Sequence, residues 1–392
     1  MTTRAIQLIL CLVTLATVLA CSGCRSADDT LPASPEAAPT AIQTVPSPSP
    51  VATSAPAATP APLPALLFDT TTDEWMVAVW PVGQTAQPIA GGNLLYGQAL
   101  SPDGRRVVID TQRTGWQSHG VAILNLTDGS IEPLHLLADP YTVHWSPDGR
   151  LLLYEYWGES DSQLVVHDFA SGDDTPILTM TTIFLTAGWS ADSRQIAFVS
   201  NDDGQYDLYV LDVGTGVMRR LTNTVEVEIG VVWSPVDSTL LVGTAPYNEP
   251  VMREGYLINA NRLQLIDDDG ASQPLGNYED VNAASLTWSP DGRQVAFSES
   301  GTLCTRALAT SQTTCLLATT MPFGAYFAAF NDPPAWSPDG RWLAFRARNV
   351  YDSGCDAGVF AWEIETGEVH IVEERNCNTG PVYWVANWEG AP

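Results

Sequence analysis

The side chains able to do chemistry are few in this 392-residue chain and do not gather into a catalytic signature. Its five histidines (His119, His135, His144, His167 and His370) fall in no His-Glu-x-x-His or His-x-x-Glu-His pattern, so no zinc-hydrolase helix is written here. Asn201-Asp202-Asp203 and Asp267-Asp268-Asp269 offer hard oxygen ligands. Neither has the alternating Asp-x-Asp-x-Asp-Gly spacing of a calcium loop, and both read as solvated turns. There is no Gly-x-Ser-x-Gly elbow, no Walker or dinucleotide glycine pattern, and no lysine to form a Schiff base: all 17 basic residues are arginine. No catalytic residue, metal or cofactor is therefore expected. What remains is binding chemistry, carried by aromatic and polar residues in the long connections. These are Trp116 and His119 (residues 111–120), Trp157 (157–163), Tyr247 (243–255), Phe323 and Tyr326 (320–334) and Tyr351 (346–358). Exposed aromatics in such loops stack on sugar rings or anchor a protein partner. Taken singly, each one is more often packed beneath its own loop.

The elements that position these loops are set by a repeat. A phrase built on Trp-Ser-Pro-Asp-Gly recurs at 101–104, 146–149, 190–193, 234–237, 289–292 and 337–340, with starts 45, 44, 44, 55 and 48 residues apart. Ser-Pro-Asp-Gly suits a type I turn. An apolar strand precedes each turn, ending in Trp145, Trp189, Trp233, Trp288 or Trp336, and another follows it, such as 294–297 or 342–345. A position filled by Trp in all but one copy is core packing, and the recurrent Asp103, Asp148, Asp192, Asp291 and Asp339 are turn chemistry. Two copies are worn. Ser190-Ala191-Asp192-Ser193 lacks Pro and Gly, and Ser234-Pro235-Val236-Asp237 moves Asp into the Gly slot, which Asp tolerates better than most residues.

A second hairpin follows each first one, clearest at 206–222. A strand-rich chain with a period of 40–50 residues is a β-propeller, one four-stranded blade per repeat. Seven second hairpins against six first ones leave the strand at 66–69 unpartnered. The strand at 381–385 is the piece that completes it, giving seven blades, with six or eight as alternatives. In each blade the first-to-second and third-to-fourth turns share one face of the ring. The long loops share the other, which makes that loop face the candidate binding surface.

These repeats resemble the TolB-like, WD40-like (PD40) propeller family, and Ser200-Asn-Asp-Asp-Gly-Gln-Tyr-Asp-Leu-Tyr-Val-Leu-Asp212 is close to its blade pattern. The resemblance covers roughly residues 66–388 and implies the fold. Function is not implied, because propellers host many unrelated roles.

Cys304 and Cys315 stand symmetrically about one hairpin tip, and Cys355 and Cys377 about the next. Facing positions of an antiparallel pair lie within bridging reach, so disulfides Cys304–Cys315 and Cys355–Cys377 are expected. That suits an oxidising compartment. Arg4, the apolar run 5–20 and the lipobox-like Val18-Leu19-Ala20-Cys21 read as a signal peptide (1–20) with lipidation at Cys21, Cys24 being the competitor. Residues 21–65 are rich in Pro, Ala, Ser and Thr and form an extended linker before the propeller (66–392). A net charge of −28 argues against nucleic acid and against anionic lipid surfaces, so the only membrane contact expected is the lipid anchor. The resulting expectation is a lipid-anchored, extracytoplasmic module that binds an envelope protein or glycan without catalysis. The alternative is a propeller enzyme acting on an extracellular carbohydrate or lactone.

Overall fold

The computed structural model describes residues 64–386 apart from 72–74, 92, 95, 111–119, 139, 141, 158–161, 181–184, 202–203, 247–251, 254–255, 258–259, 317–332, 349–356 and 374–380. The described secondary structure is entirely β. Taken repeat by repeat, the strands make antiparallel units of four, numbered here from the N-terminal end. Unit three is the clearest: Thr142–Trp145, Leu151–Trp157, Ser162–Asp168 and Asp173–Met180. Unit four repeats it with Leu185–Trp189, Gln195–Ser200, Asp207–Asp212 and Met218–Arg220. Units five and six share the long strand Ser272–Trp288, whose first part pairs with Ala260–Ile266 and whose last part pairs with Gln294–Glu299.

Unit one is closed from the other end of the chain. Val382–Val385 pairs antiparallel with Ala65–Thr71, Ala65 facing Val385 and Phe68 facing Val382. The strand order is therefore Gln87–Gly91, Trp75–Pro81, Ala65–Thr71, Val382–Val385. Thr70 and Glu373 add a side-chain hydrogen bond of 2.5 Å across the same closure. Sharing the first unit between both ends of the chain leaves no open edge at the join.

Within each unit the first strand is innermost and the fourth outermost, as burial shows. The fourth strands Ile131–Pro133, Met218–Arg220 and Thr313–Cys315 are exposed at every position, whereas Glu226–Trp233, a first strand, is almost wholly buried. The core lies between neighbouring units. Leu153, Leu164, Trp189, Phe198 and Tyr209 fill the seam of units three and four. Second strands carry a recurring Ala-Phe pair (Ala197-Phe198, Ala296-Phe297, Ala344-Phe345), every member essentially inaccessible to solvent. Each such Phe contributes roughly 2–3 kcal/mol of burial.

The repeat phrase does two jobs. In five copies the serine hydroxyl donates to the Asp two residues on (2.5–2.7 Å), as in Ser146 to Asp148 and Ser337 to Asp339. The same Asp accepts the N–H two residues further along, at 3.0–3.1 Å. The fourth residue takes a left-handed φ of 68–71° where it is Gly104, Gly149, Gly292 or Gly340, and Ser193 takes 61° in the worn copy. Asp237 departs from expectation: it is not in the left-handed region. Its carboxylate instead accepts the N–H of Thr239 at 3.0 Å, so the staple survives with the Asp one place later.

The phrase tryptophans are buried, with at most 8% of their surface accessible. They also bridge units, because an indole N–H sealed from water needs an acceptor. Trp145 donates to the Ala99 carbonyl (2.8 Å), Trp189 to His144 (3.0 Å), Trp288 to Val232 (3.1 Å) and Trp384 to Ala335 (2.9 Å). Each acceptor immediately precedes the Trp-equivalent residue of the unit before. Two phrase tryptophans do not bridge: the indole N–H groups of Trp336 and of Trp233 have no partner, the carbonyl equivalent for Trp233 belonging to Gly188, which sits in a bulge at φ 85°.

Candidate functional site

Second strands run away from the Ser-Pro-Asp-Gly turns, so the far end of each unit is where the long connections attach. Trp157 closes Leu151–Trp157 at that end, its backbone opposite Ser162. Trp116, His119, Tyr247, Phe323, Tyr326 and Tyr351 lie outside the described residues, as do Cys21, Cys24, Cys355 and Cys377. The asymmetry between the two ends is uneven. The connection in unit three shrinks to 158–161, and residues 243–246, read as loop, continue the strand Leu240–Pro246. A two-strand pair, Met252–Arg253 with Tyr256–Leu257, is set into the connection that follows. Unit six turns on Ser300-Gly301 alone, both at positive φ, as a two-residue hairpin requires.

Cys304 and Cys315 are register partners on Thr302–Ala307 and Thr313–Cys315 and are joined by a disulfide, their Cα atoms 4.0 Å apart. The described histidines do not converge. His167 pairs with Asp174 at 2.9 Å, and His370 stacks edge-on against Trp342. His144 is half-buried on an inner strand with its Nδ1 sealed from water and unpartnered, and desolvation pushes its imidazole down to about 4. Among the described residues no group of three His, Cys, Asp or Glu side chains could hold a metal ion.

The charged constellation at the loop end lies elsewhere, between units four and five. Asp207 opens the third strand of unit four and is inaccessible to solvent. One of its oxygens pairs with Arg220 and the other has no partner. Burial raises the Asp207 carboxyl above the usual range despite that arginine. Glu226 and Glu228 stand two apart on the inner strand Glu226–Trp233. Glu226 pairs with Arg262 and accepts from the Thr244 hydroxyl at 3.0 Å. Glu228 is fully buried, and neither carboxyl oxygen has a hydrogen-bond partner. Desolvation pushes its carboxyl up to about 8, with the charges of Asp207 and Glu226 acting in the same direction. None of these residues was singled out from the sequence. The available signal was Glu-Val-Glu, a polar alternation opening a strand that is otherwise apolar to its Trp.

Comparison with known proteins follows the repeats. Residues 138–245 match the family described as PD40, the TolB beta propeller domain. A protein TolB homolog of Chlorobium luteolum is 27% identical over 138 residues, 35% of this chain and 31% of that protein. Among solved structures, TolB from Acinetobacter baumannii superposes at a TM-score of 0.50 with 14% identity, over 82% of this chain and 66% of that one. An oligogalacturonate lyase in complex with manganese gives 0.54 at 14% identity, over 80% and 85%. A putative 6-phosphogluconolactonase from Bacteroides uniformis gives 0.52 at 14%, over 83% and 100%. This chain thus spans about a third of its curated relative and just under two thirds of the Acinetobacter protein. At such identities the solved structures speak for the fold alone. Residues 138–245 thus carry a TolB-like, PD40-type match, and the blade phrase, strand order and end-to-end closure extend the same β-propeller architecture through the described chain.

Proposed function

We propose that this protein is a lipid-anchored, extracytoplasmic binding module, a seven-bladed propeller that presents its loop end to an envelope protein or glycan. One observation carries the reading. Every Ser-Pro-Asp-Gly end is a short stapled turn, while the opposite end carries the connections 111–120, 247–259, 317–334 and 349–356 between described strands. A rigid ring with variable loops on one side is built to recognise rather than to rearrange. The lipobox at Cys21 and the linker 21–65 supply an anchor and a reach on the order of 100 Å, at about 3 Å per residue in an extended, proline-rich chain. The oxidised Cys304–Cys315 pair fits a location outside the cytoplasm.

The test is affinity capture from crosslinked envelopes with residues 66–392 as bait. The control bait carries Trp116→Ala, Trp157→Ala, Tyr247→Ala and Tyr351→Ala. A partner held by the first bait and lost by the second supports the reading and maps the surface. Equal recovery by both baits, or hydrolysis or elimination of an extracellular oligosaccharide or lactone by the purified protein, would overturn it.

A further inference from the structure

We propose that the seam between units four and five is held by a proton on Glu228, and that losing this proton loosens the loop end of that seam. The argument starts from accounting of partners. Asp207 is balanced by Arg220 and Glu226 by Arg262, which leaves Glu228 as the one uncompensated acid of the constellation. Three carboxyl oxygens there, both of Glu228 and one of Asp207, are buried without a hydrogen-bond partner. The Thr222 hydroxyl interacts with both carboxyl groups and accepts the Leu208 N–H at 2.9 Å, so it sits between them. The Glu228 N–H donates to the Tyr206 carbonyl (3.3 Å), tying the inner strand of unit five to the residue before Asp207.

An ionised carboxylate in this position faces two acids, with the single Thr222 hydroxyl shared between it and Asp207. The strands packed on it supply no relief: Leu185–Trp189, Gln195–Ser200 and Leu240–Pro246 contain no ionisable side chain. Ser272–Trp288 carries three ionisable residues: Tyr278, which packs edge-on against Phe297, Glu279, and Asp280, whose carbonyl accepts from Ser300. Tyr206 completes the neighbours and carries no charge at neutral pH. A proton satisfies the site where a calcium ion does not. Calcium takes about six to eight oxygens, against three carboxyl oxygens and one hydroxyl here, and only one negative charge is uncompensated. With the proton gone, Glu228 repels Asp207 across the seam and Glu226 on its own strand.

Hydrogen–deuterium exchange of the full chain tests this, comparing pH 6 and pH 9 after correction for intrinsic rates. Peptides covering 204–210 and 224–231 are expected to lose protection by up to about a hundredfold at the higher pH, since an opening that releases the proton gains tenfold per pH unit until Glu228 itself ionises near pH 8. Residues 342–348 of unit seven serve as the internal control and stay unchanged. Glu228→Gln, a neutral isostere, is expected to abolish the pH dependence in the seam. Equal protection at both pH values, or retention of the effect in Glu228→Gln, would overturn the proposal. So would recovery of wild-type protection at pH 9 on adding millimolar calcium, which would make the seam a cation site. Should Glu228→Gln not fold, infrared spectroscopy of the wild type decides. A protonated-carboxyl band present at pH 6 and lost near pH 9 supports the proposal, and its absence at pH 6 refutes it.

Discussion

Replacing Ser289 with alanine removes the centre of one turn staple, and the cost follows from its contacts. The Ser289 hydroxyl donates to Asp291 at 2.7 Å and accepts the Gln294 N–H at 2.9 Å, with only 2% of the residue accessible. A hydrogen bond to a charged acceptor is worth about 1.5–3 kcal/mol and a backbone donor left without its acceptor about 1–3 kcal/mol. Asp291 has just over half of its side chain exposed, so water replaces much of the first contribution. The second survives in part, because Gln294 is only partly exposed. The net expectation is a loss of about 2 kcal/mol, read as a lower urea midpoint at unchanged slope. Asp291→Ala alone and with Ser289→Ala closes a double-mutant cycle, with a coupling of about 1 kcal/mol expected between two residues in direct contact. Ser238→Ala, at an exposed position of the worn turn, is the control and should stay within ~0.5 kcal/mol of wild type. A Ser289→Ala loss no larger than that of Ser238→Ala, or zero coupling to Asp291, would refute the staple.

Three further outcomes are expected. Gly292→Ala and Gly340→Ala impose the same left-handed strain, yet only at Gly292 would the new Cβ collide with a neighbour, the Val236 Cγ2 methyl. Thermal denaturation should therefore show Gly292→Ala costing at least ~1 kcal/mol more than Gly340→Ala. Cys304→Ser, or reduction, opens an 11-residue separation between the buried Cys304 and the exposed outer strand of Cys315 and should cost about 2–3 kcal/mol, measured against the oxidised wild type in urea. Glu228 has a folded pKa of about 8 against 4.5 unfolded, so its contribution is complete below about pH 4.5 and is lost as pH rises through about 8. The loss is on the order of 5 kcal/mol. The drop in melting temperature between pH 5 and pH 9 should be markedly smaller in Glu228→Gln.

The repeat phrase made most of the fold legible, because its chemistry is local. Ser-Pro-Asp-Gly marks a turn wherever it stands, and the Trp before it marks a strand end. Even the closure by 381–385 follows from an unpaired strand at each end of the repeat series. Residues whose meaning depends on a neighbouring unit were harder to read. The phrase tryptophans signal burial in sequence, but their hydrogen bonds to the preceding unit emerge only once the inner strands stand side by side. Glu226 and Glu228 look like ordinary acids in a chain carrying 45 of them. Their weight comes from Asp207, across a seam that no local pattern encodes. Asp237 shows the same limit at smaller scale: one shifted residue changed which backbone conformation the turn used.

The shared first unit also sets an order of events. In a chain delivered N-terminus first, Ala65–Thr71 emerges long before its partner Val382–Val385. The Thr70–Glu373 bond alone spans 303 residues. Throughout that interval the strand offers an unsatisfied edge to any extended segment nearby, including the same strand of another nascent copy. The last hundred residues thus act as a timer on how long the molecule stays vulnerable to aggregation. Slowing their arrival should harm the yield of folded protein more than slowing the middle of the chain. Closing the loop so late is also entropically demanding, so slow folding is the expectation for this topology.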